Sequence, residues 1–489
     1  MHQPWWERNS LMVKICLAFY ALAFLACAWF SIGTYGGGDS WMHYLFAKFA
    51  YKHPDNLMDQ WGKPVFTLLA SPWAQFGFMG VKVFNIICAL LTGYISYLIA
   101  KAHYSKYAWL SIVFVFGVPI YFVCVFSGLT EILFALFLVA GIYLYQINKP
   151  QWAFIIVSFM PFIRSEGFLI MPVFILMALH YRQFKSIGFL FFGTLLFSVI
   201  GFIVYNNWKW VFSTNPYLMA VNVYGKGSLF QFVGANESIA GLPQVMMVLL
   251  SILIFVMAYS KQVKSNNFGS DHLLNIRAVL IFGSFASYFV AHSIFWRLGI
   301  FGSLGLIRVM AGIGPVIGLS SFFAFQWALE LKLAQKTWAK VLAVLFIIAV
   351  FFIPLKQNRH DIPYKLSDLE QAQYQSCQWV KENNLQNNFF YFFDPFVAHL
   401  LNLDKFDSEK TSSILYINNS ITFRKDAIII WDSQFCPQEG QLPKRWLDEN
   451  ENFLLLHQVR NDRNFSSRGD TLEIRIYKTL NDVELKNMK

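Results

Sequence analysis

Over its first three quarters the chain alternates between long apolar runs and short polar connections. Runs near the length that crosses roughly 30 Å of hydrocarbon read at about 15–33, 80–100, 107–126, 128–147, 152–163, 167–180, 187–205, 243–260, 277–295, 305–329 and 339–355. This pattern predicts about eleven membrane-spanning helices. Pro119, Pro161 and Pro172 interrupt the shorter runs, so ten or twelve stay open. The first run is long and lacks a small-residue cleavage site, so it is expected to be retained. Beyond Pro354 the pattern changes. Leu366–Glu382 has helical spacing, while Phe389–Phe393, Ala427–Trp431, Phe453–Leu456 and Leu472–Tyr477 have the character of strands. The predicted fold class is an α-helical polytopic membrane protein with a small C-terminal α/β domain. Residues 1–356 form the membrane body, with a long loop at 34–79, and residues 357–489 form the extramembrane domain. No internal repeat stands out.

Composition fixes the class. Of 489 residues, 56% are hydrophobic and only 14% charged; soluble domains run at about 25% charged. A soluble enzyme, a secreted disulfide scaffold and a disordered chain are excluded. The net charge of +11 is unevenly spread: from Gln357 onward there are 16 Lys and Arg against 19 Asp and Glu, leaving 23 and 9 in the body. Most basic residues of the body lie in short loops, a pattern of membrane orientation and not of a nucleic-acid surface. With the N-terminus inside, thirteen basic residues from Arg8 to Lys340 fall in short inner loops. Loop 34–79 carries only Lys48, Lys52 and Lys63, and loop 206–242 only Lys209 and Lys226. An odd span count then places the tail outside. In that oxidising setting Cys377 and Cys436 are expected to pair, while Cys16, Cys27, Cys88 and Cys124 lie in spans and stay reduced.

The nine carboxylates of the body are the most informative set. Glu7, Asp271 and Glu330 fall inside; Asp39, Asp55, Asp59, Glu131, Glu166 and Glu237 fall outside or at outer span ends. Ionisable groups at the edge of a helix bundle are costly and are functional candidates. Asp39 ends the run Gly36-Gly37-Gly38-Asp39. Behind it Trp41, Leu45, Phe46 and Phe49 have the spacing of a helix lying in the membrane surface. Asp39 is either that helix's N-cap or a base. His43, one turn on, could orient it or complete a divalent metal site. Asp55 and Asp59 read as loop solvation. Glu131, after Ser127-Gly128-Leu129-Thr130, either complements a helix dipole or serves chemistry. Arg164-Ser165-Glu166-Gly167 places a charge pair inside an apolar stretch, structural or catalytic. Trp296-Arg297 and Gly305-Leu306-Ile307-Arg308 set two arginines at outer span ends. Their guanidinium forks suit a phosphate, or they snorkel to headgroups.

In order and sidedness these motifs resemble the GT-C glycosyltransferases, integral-membrane enzymes that use polyprenyl- or dolichyl-phosphate sugars. Thr130-Glu131 and Arg164-Ser165-Glu166-Gly167 are most similar to the mannosyltransferase-like branch. The resemblance covers the membrane body and not the tail. The first loop has Gly-Asp-Ser in place of the paired acidic dipeptide of several branches, so only Asp39 matches there. The resemblance implies an inverting transfer of a sugar, a hexose such as mannose, on the outer face. The donor is lipid-linked and the acceptor a lipid, glycan or protein. Asp39, Glu131 and Glu166 would be catalytic; His43, Arg164, Arg297 and Arg308 would bind substrate. A bacterial inner membrane is the favoured location over the endoplasmic reticulum. A lipid-linked sugar flippase or secondary transporter is the alternative. Transporters, however, place polar groups near the midplane, often in repeated halves.

Overall fold

A computed structural model of the chain describes residues 9–104, 106–217, 225–265, 269–358, 361–414, 421–464 and 471–485. It divides into two compact units, Met1–Ser31 with Leu57–Pro363, and Ile32–Asn56 with Tyr364–Lys489. The second unit is therefore more than the polar tail, because the segment containing Asp39 packs with it.

The first unit is helical. Each of the eleven apolar runs falls on helix, and seven helices among the described residues are long and apolar enough to cross a membrane. These are Asn9–Phe30, Gly77–His103, Phe184–Tyr205, Leu242–Lys264, His272–Leu298, Ile307–Glu330 and Thr337–Gln357. The remaining runs form shorter pieces. Residues 107–126 break into Leu110–Phe116 and Pro119–Cys124, because Pro119 lacks the N–H that would continue the first helix. Glu131–Gln146 has 16 residues, about 24 Å at 1.5 Å each, too short to cross alone. Its short neighbours and Ile307–Glu330 are mostly buried, whereas Phe184–Tyr205, Leu242–Lys264 and Thr337–Gln357 are mostly exposed and apolar all round. Such helices are stable only against lipid or other helices. Lys82, buried on Gly77–His103, donates to the carbonyl of Ser31 at 2.7 Å. A cation at the end of Asn9–Phe30 satisfies carbonyls that the helix leaves open.

Among its described residues the second unit holds seven strands: β1 (Phe390–Phe392), β2 (Thr411–Ser413), β3 (Ile421–Phe423), β4 (Ile428–Asp432), β5 (Phe453–Asn464), β6 (Thr471–Thr479) and β7 (Val483–Leu485). Five form a mixed sheet in the order β2-β1-β4-β6-β5, and β3 pairs with β7. The β1–β2 and β1–β4 pairs are parallel, with Phe390 opposite Thr411 and Ile428; β4–β6 and β5–β6 are antiparallel. Helix Asp368–Glu382 opens with a capping box, Ser367 and Glu370 satisfying each other's backbone N–H. Strands β2, β3 and β7 have three residues each, too short to show an alternation in the sequence.

Two expectations fail here. Cys377 and Cys436 form no disulfide. Each is buried in its own packing environment, and Cys436 donates to Asp432 Oδ2 at 3.2 Å. Burial pushes the Cys377 thiol up to about 12, far from the thiolate that exchange requires. The helix after Asp39 is also not a membrane-surface helix. Trp41 packs on Phe396 and His399, and Phe46 on Phe406, all within the second unit, so the apolar face covers protein and not lipid.

Candidate functional site

Three of the sequence candidates meet in the first unit. Glu131 opens its helix, preceded by Thr130 at the cap position. Arg164, Ser165 and Glu166 lie in a tight return between Met160–Phe162 and Ser165–Leu169. Gly167 makes that return possible, since a Cβ there would come within 2.3 Å of the Pro161 nitrogen. Arg164 reaches across with Nη1 2.7 Å from Glu131 Oε1 and Nη2 2.7 Å from Glu166 Oε1. Its Nη1 also donates to Thr130 Oγ1 at 3.2 Å, and the Thr130 hydroxyl donates onward to Glu131 Oε2 at 3.4 Å. One guanidinium thus binds two carboxylates, the geometry for which its fork is suited. Glu131, only 1% exposed, sits in the first turn of its helix, where a carboxylate suits the dipole, and pairs with Arg164.

Residues that the sequence did not single out complete the cluster. His292, buried on Gly283–Leu298, places Nε2 3.7 Å from Glu166 Oε1. Tyr288, one turn earlier, lies beside Arg164 and donates its hydroxyl to the Val309 carbonyl at 3.1 Å. That bond ties the cluster to Ile307–Ile313, which carries a half-buried Arg308. Lys63 is the least expected member. It is 5% exposed and sits at φ +66°, a region non-glycine residues rarely enter. Its Nζ is 3.4 Å from Ser165 Oγ and 4.2 Å from the centre of the Tyr217 ring. Burial pushes its amine down to about 8, against the pull of Glu166. Just before it Asp59 Oδ1 accepts the Gly62 N–H at 2.7 Å, so Asp59 shapes this turn and does not merely solvate a loop. Only the period of neighbouring residues could have flagged Lys63; nothing in a lone loop lysine announces burial.

The other candidates lie elsewhere. Arg297 is exposed on the last turn of its helix and takes no part in the cluster. Asp39 and His43 belong to the second unit. The helix there starts at Gly38, capped by Gly37 with no side-chain cap, so Asp39 is not the N-cap. Gly37 at φ +53° turns the chain one residue early, and Asp39 falls in the first turn, where a carboxylate suits the dipole. His43 is buried four residues on. Among the described residues no three His, Cys, Asp or Glu side chains converge as metal ligands.

By sequence, no family model and no curated protein matches the chain. By fold it is similar to the ArnT of Cupriavidus metallidurans bound to undecaprenyl phosphate, with a TM-score of 0.59 and 8% identity over 95% of this chain and 97% of that one. The apo state of that protein gives 0.58 and 9%, over the same shares. The Archaeoglobus fulgidus oligosaccharyltransferase tethered with an acceptor peptide gives 0.55 and 11%, over 80% of this chain and 63% of that one. The likeness is one of fold: the chain has the fold of these proteins.

Proposed function

We propose that the chain transfers a sugar, a hexose such as mannose, from a polyprenyl- or dolichyl-phosphate donor to an acceptor on the outer side of the membrane. Inversion is the expected outcome. The acceptor oxygen forms its bond to the anomeric carbon as the bond from that carbon to the phosphate oxygen breaks. The acceptor proton goes to a carboxylate, and the lipid phosphate leaves with the electron pair. The observation that carries this reading is a buried cation beside the Glu131–Arg164–Glu166 cluster in a chain of GT-C fold. Lys63 has three N–H donors, and among the described residues one long hydrogen bond, to Ser165, uses one of them. A departing phosphate needs fixed donors of this kind, which cost no reorganisation when charge develops. Arg308 is its proposed partner. Arg164, paired through both Nη atoms with two carboxylates, holds the architecture and is not assigned to the phosphate. Asp39 is proposed as the base on its position in the chain, beside glycines in the loop after the first span. An N-in orientation with the second unit outside belongs to the same proposal.

A lipid-linked donor is required by chemistry, because nucleotide sugars are cytosolic and an outer site cannot reach them. The test is incubation of the purified protein with labelled polyprenyl-phosphate sugars, following release or transfer of the label. Release dependent on Lys63 supports the reading. Movement of intact labelled donor between leaflets of a vesicle without sugar release would identify a flippase instead.

A further inference from the structure

Asp39 follows three glycines and opens a helix of 12 residues. Glycines leave a chain conformationally free, and a helix this short is marginal on its own. Neither feature holds a carboxylate in one place. Its own unit supplies what does. Two residues beyond Asp39, the Trp41 Nε1–H donates to Glu370 Oε1 at 2.8 Å. The other oxygen of Glu370 accepts the Ser367 N–H at 2.9 Å and the Ser367 hydroxyl at 3.0 Å. One buried carboxylate therefore closes the cap of the Asp368–Glu382 helix and grips the Asp39 helix. The Trp41 ring stacks on His399, centroids 4.5 Å apart. Ahead of Asp39, the Gly33 N–H donates to the Tyr364 carbonyl at 3.1 Å. Past the far end of the helix, Asp404 Oδ2 takes Lys52 at 2.7 Å and His53 at 2.9 Å.

We infer that Glu370 is a positioning residue for Asp39, acting through Trp41, and that holding the Asp39 helix is the work of the C-terminal part of this unit. The inference rests on the base role proposed for Asp39. Sub-ångström placement of a reacting group matters, since a shift of about 1 Å costs up to roughly 10²-fold in rate.

Trp41→Phe keeps the aromatic contact and deletes the N–H. It should lower kcat by about 10-fold or more, leave the donor KM unchanged, and speed amide hydrogen exchange over residues 38–44. Glu370→Asp, which keeps the charge and withdraws it by one methylene, should do the same and covers a Trp41 variant that fails to fold. Trp431→Phe is the control: it deletes an indole N–H bound to the Leu442 carbonyl at 2.8 Å in the same unit, away from Glu370 and Trp41, so it should lower thermal stability and leave kcat intact. Unchanged exchange in both test variants overturns the inference. So does an equal kcat loss in Trp431→Phe. Faster exchange with normal kcat also overturns it, and Asp39→Asn run in parallel separates the reasons. An inactive Asp39→Asn means that the grip is not needed; an active one means that the base reading itself has failed.

Discussion

Replacing Arg164 by Met removes the one guanidinium that binds both Glu131 and Glu166. Glu166 retains His292 at 3.7 Å, but Glu131 keeps only the Thr130 hydroxyl in a site where it is 1% exposed. Breaking a buried ion pair from one side costs about 3–5 kcal/mol, because a buried charge is left uncompensated. Adding Glu131→Gln to that variant removes the stranded charge. The remaining loss then falls to about 1–2 kcal/mol, the size of one or two hydrogen bonds. Thermal unfolding of detergent-purified protein can be followed with a thiol-reactive dye, because Cys88 and Cys124 are buried in this unit and react only once it opens. The expected order of melting temperature is parent, then Arg164→Met/Glu131→Gln, then Arg164→Met. Arg164→Met melting with the parent would refute the reasoning, as would a double variant less stable than Arg164→Met alone.

Four further outcomes are expected. The Lys63 amine titrates near 8 where a free lysine titrates near 10.5, so its cation is complete well below pH 8 and lost as pH rises through 8. Donor KM should rise over that window in the parent and stay flat in Lys63→Met. The unfolded chain still binds the proton there, so folding stability changes the opposite way and increases with pH between about 8 and 10.5. Arg308→Lys should impair donor binding nearly as much as Arg308→Ala, because an ammonium cannot reproduce the guanidinium fork, whereas Arg297→Ala should stay within about threefold of the parent; comparable donor KM values for all three would exclude Arg308 from the phosphate. Asp39→Asn should preserve folding and donor binding and lower transfer by roughly 10²-fold or more, with normal transfer passing the base role to Glu131 or Glu166. Without reductant, Cys377 and Cys436 should both be recovered as thiols after denaturation, and a disulfide-linked peptide pair in mass spectrometry would contradict the packing of Cys436 against Asp432.

The helices were legible because hydrophobic length is a one-dimensional signal. Every apolar run from 15–33 to 339–355 falls on helix, and the prolines at 119, 161 and 172 marked where runs fragment. The longer strands β4 and β6 were visible for the same reason; β2 and β3 were not, since three residues carry no period. Glu131, Arg164 and Glu166 were legible as expensive charges in apolar surroundings, and Arg164 with Glu166 as a pair, but the link from Arg164 to Glu131 was not, because it joins positions more than thirty residues apart. Trp41 shows the opposite failure. An amphipathic pattern says that a face is covered without saying by what, and this one is covered by its own unit, with Glu370 as the hydrogen-bond partner.

The cations of the first unit show why burial alone does not identify a ligand site. Arg164 is deeply set, yet two carboxylates at 2.7 Å already balance its charge. Lys82 is buried too, and backbone carbonyls occupy it. Arg297 differs: it is exposed, and among the described residues no hydrogen bond or ion pair holds it. Lys63 combines what each of these lacks. Its backbone is locked at φ +66° ahead of Pro64, its stem is buried, and its ammonium meets one hydroxyl at 3.4 Å and one aromatic face. Non-glycine residues in that backbone region cost of order 1–3 kcal/mol and persist only where surrounding structure imposes them. Glu166, Asp59 and Glu131 offset part of the cost of burying this cation, and under the proposed function a donor phosphate would be a further acceptor for its N–H groups.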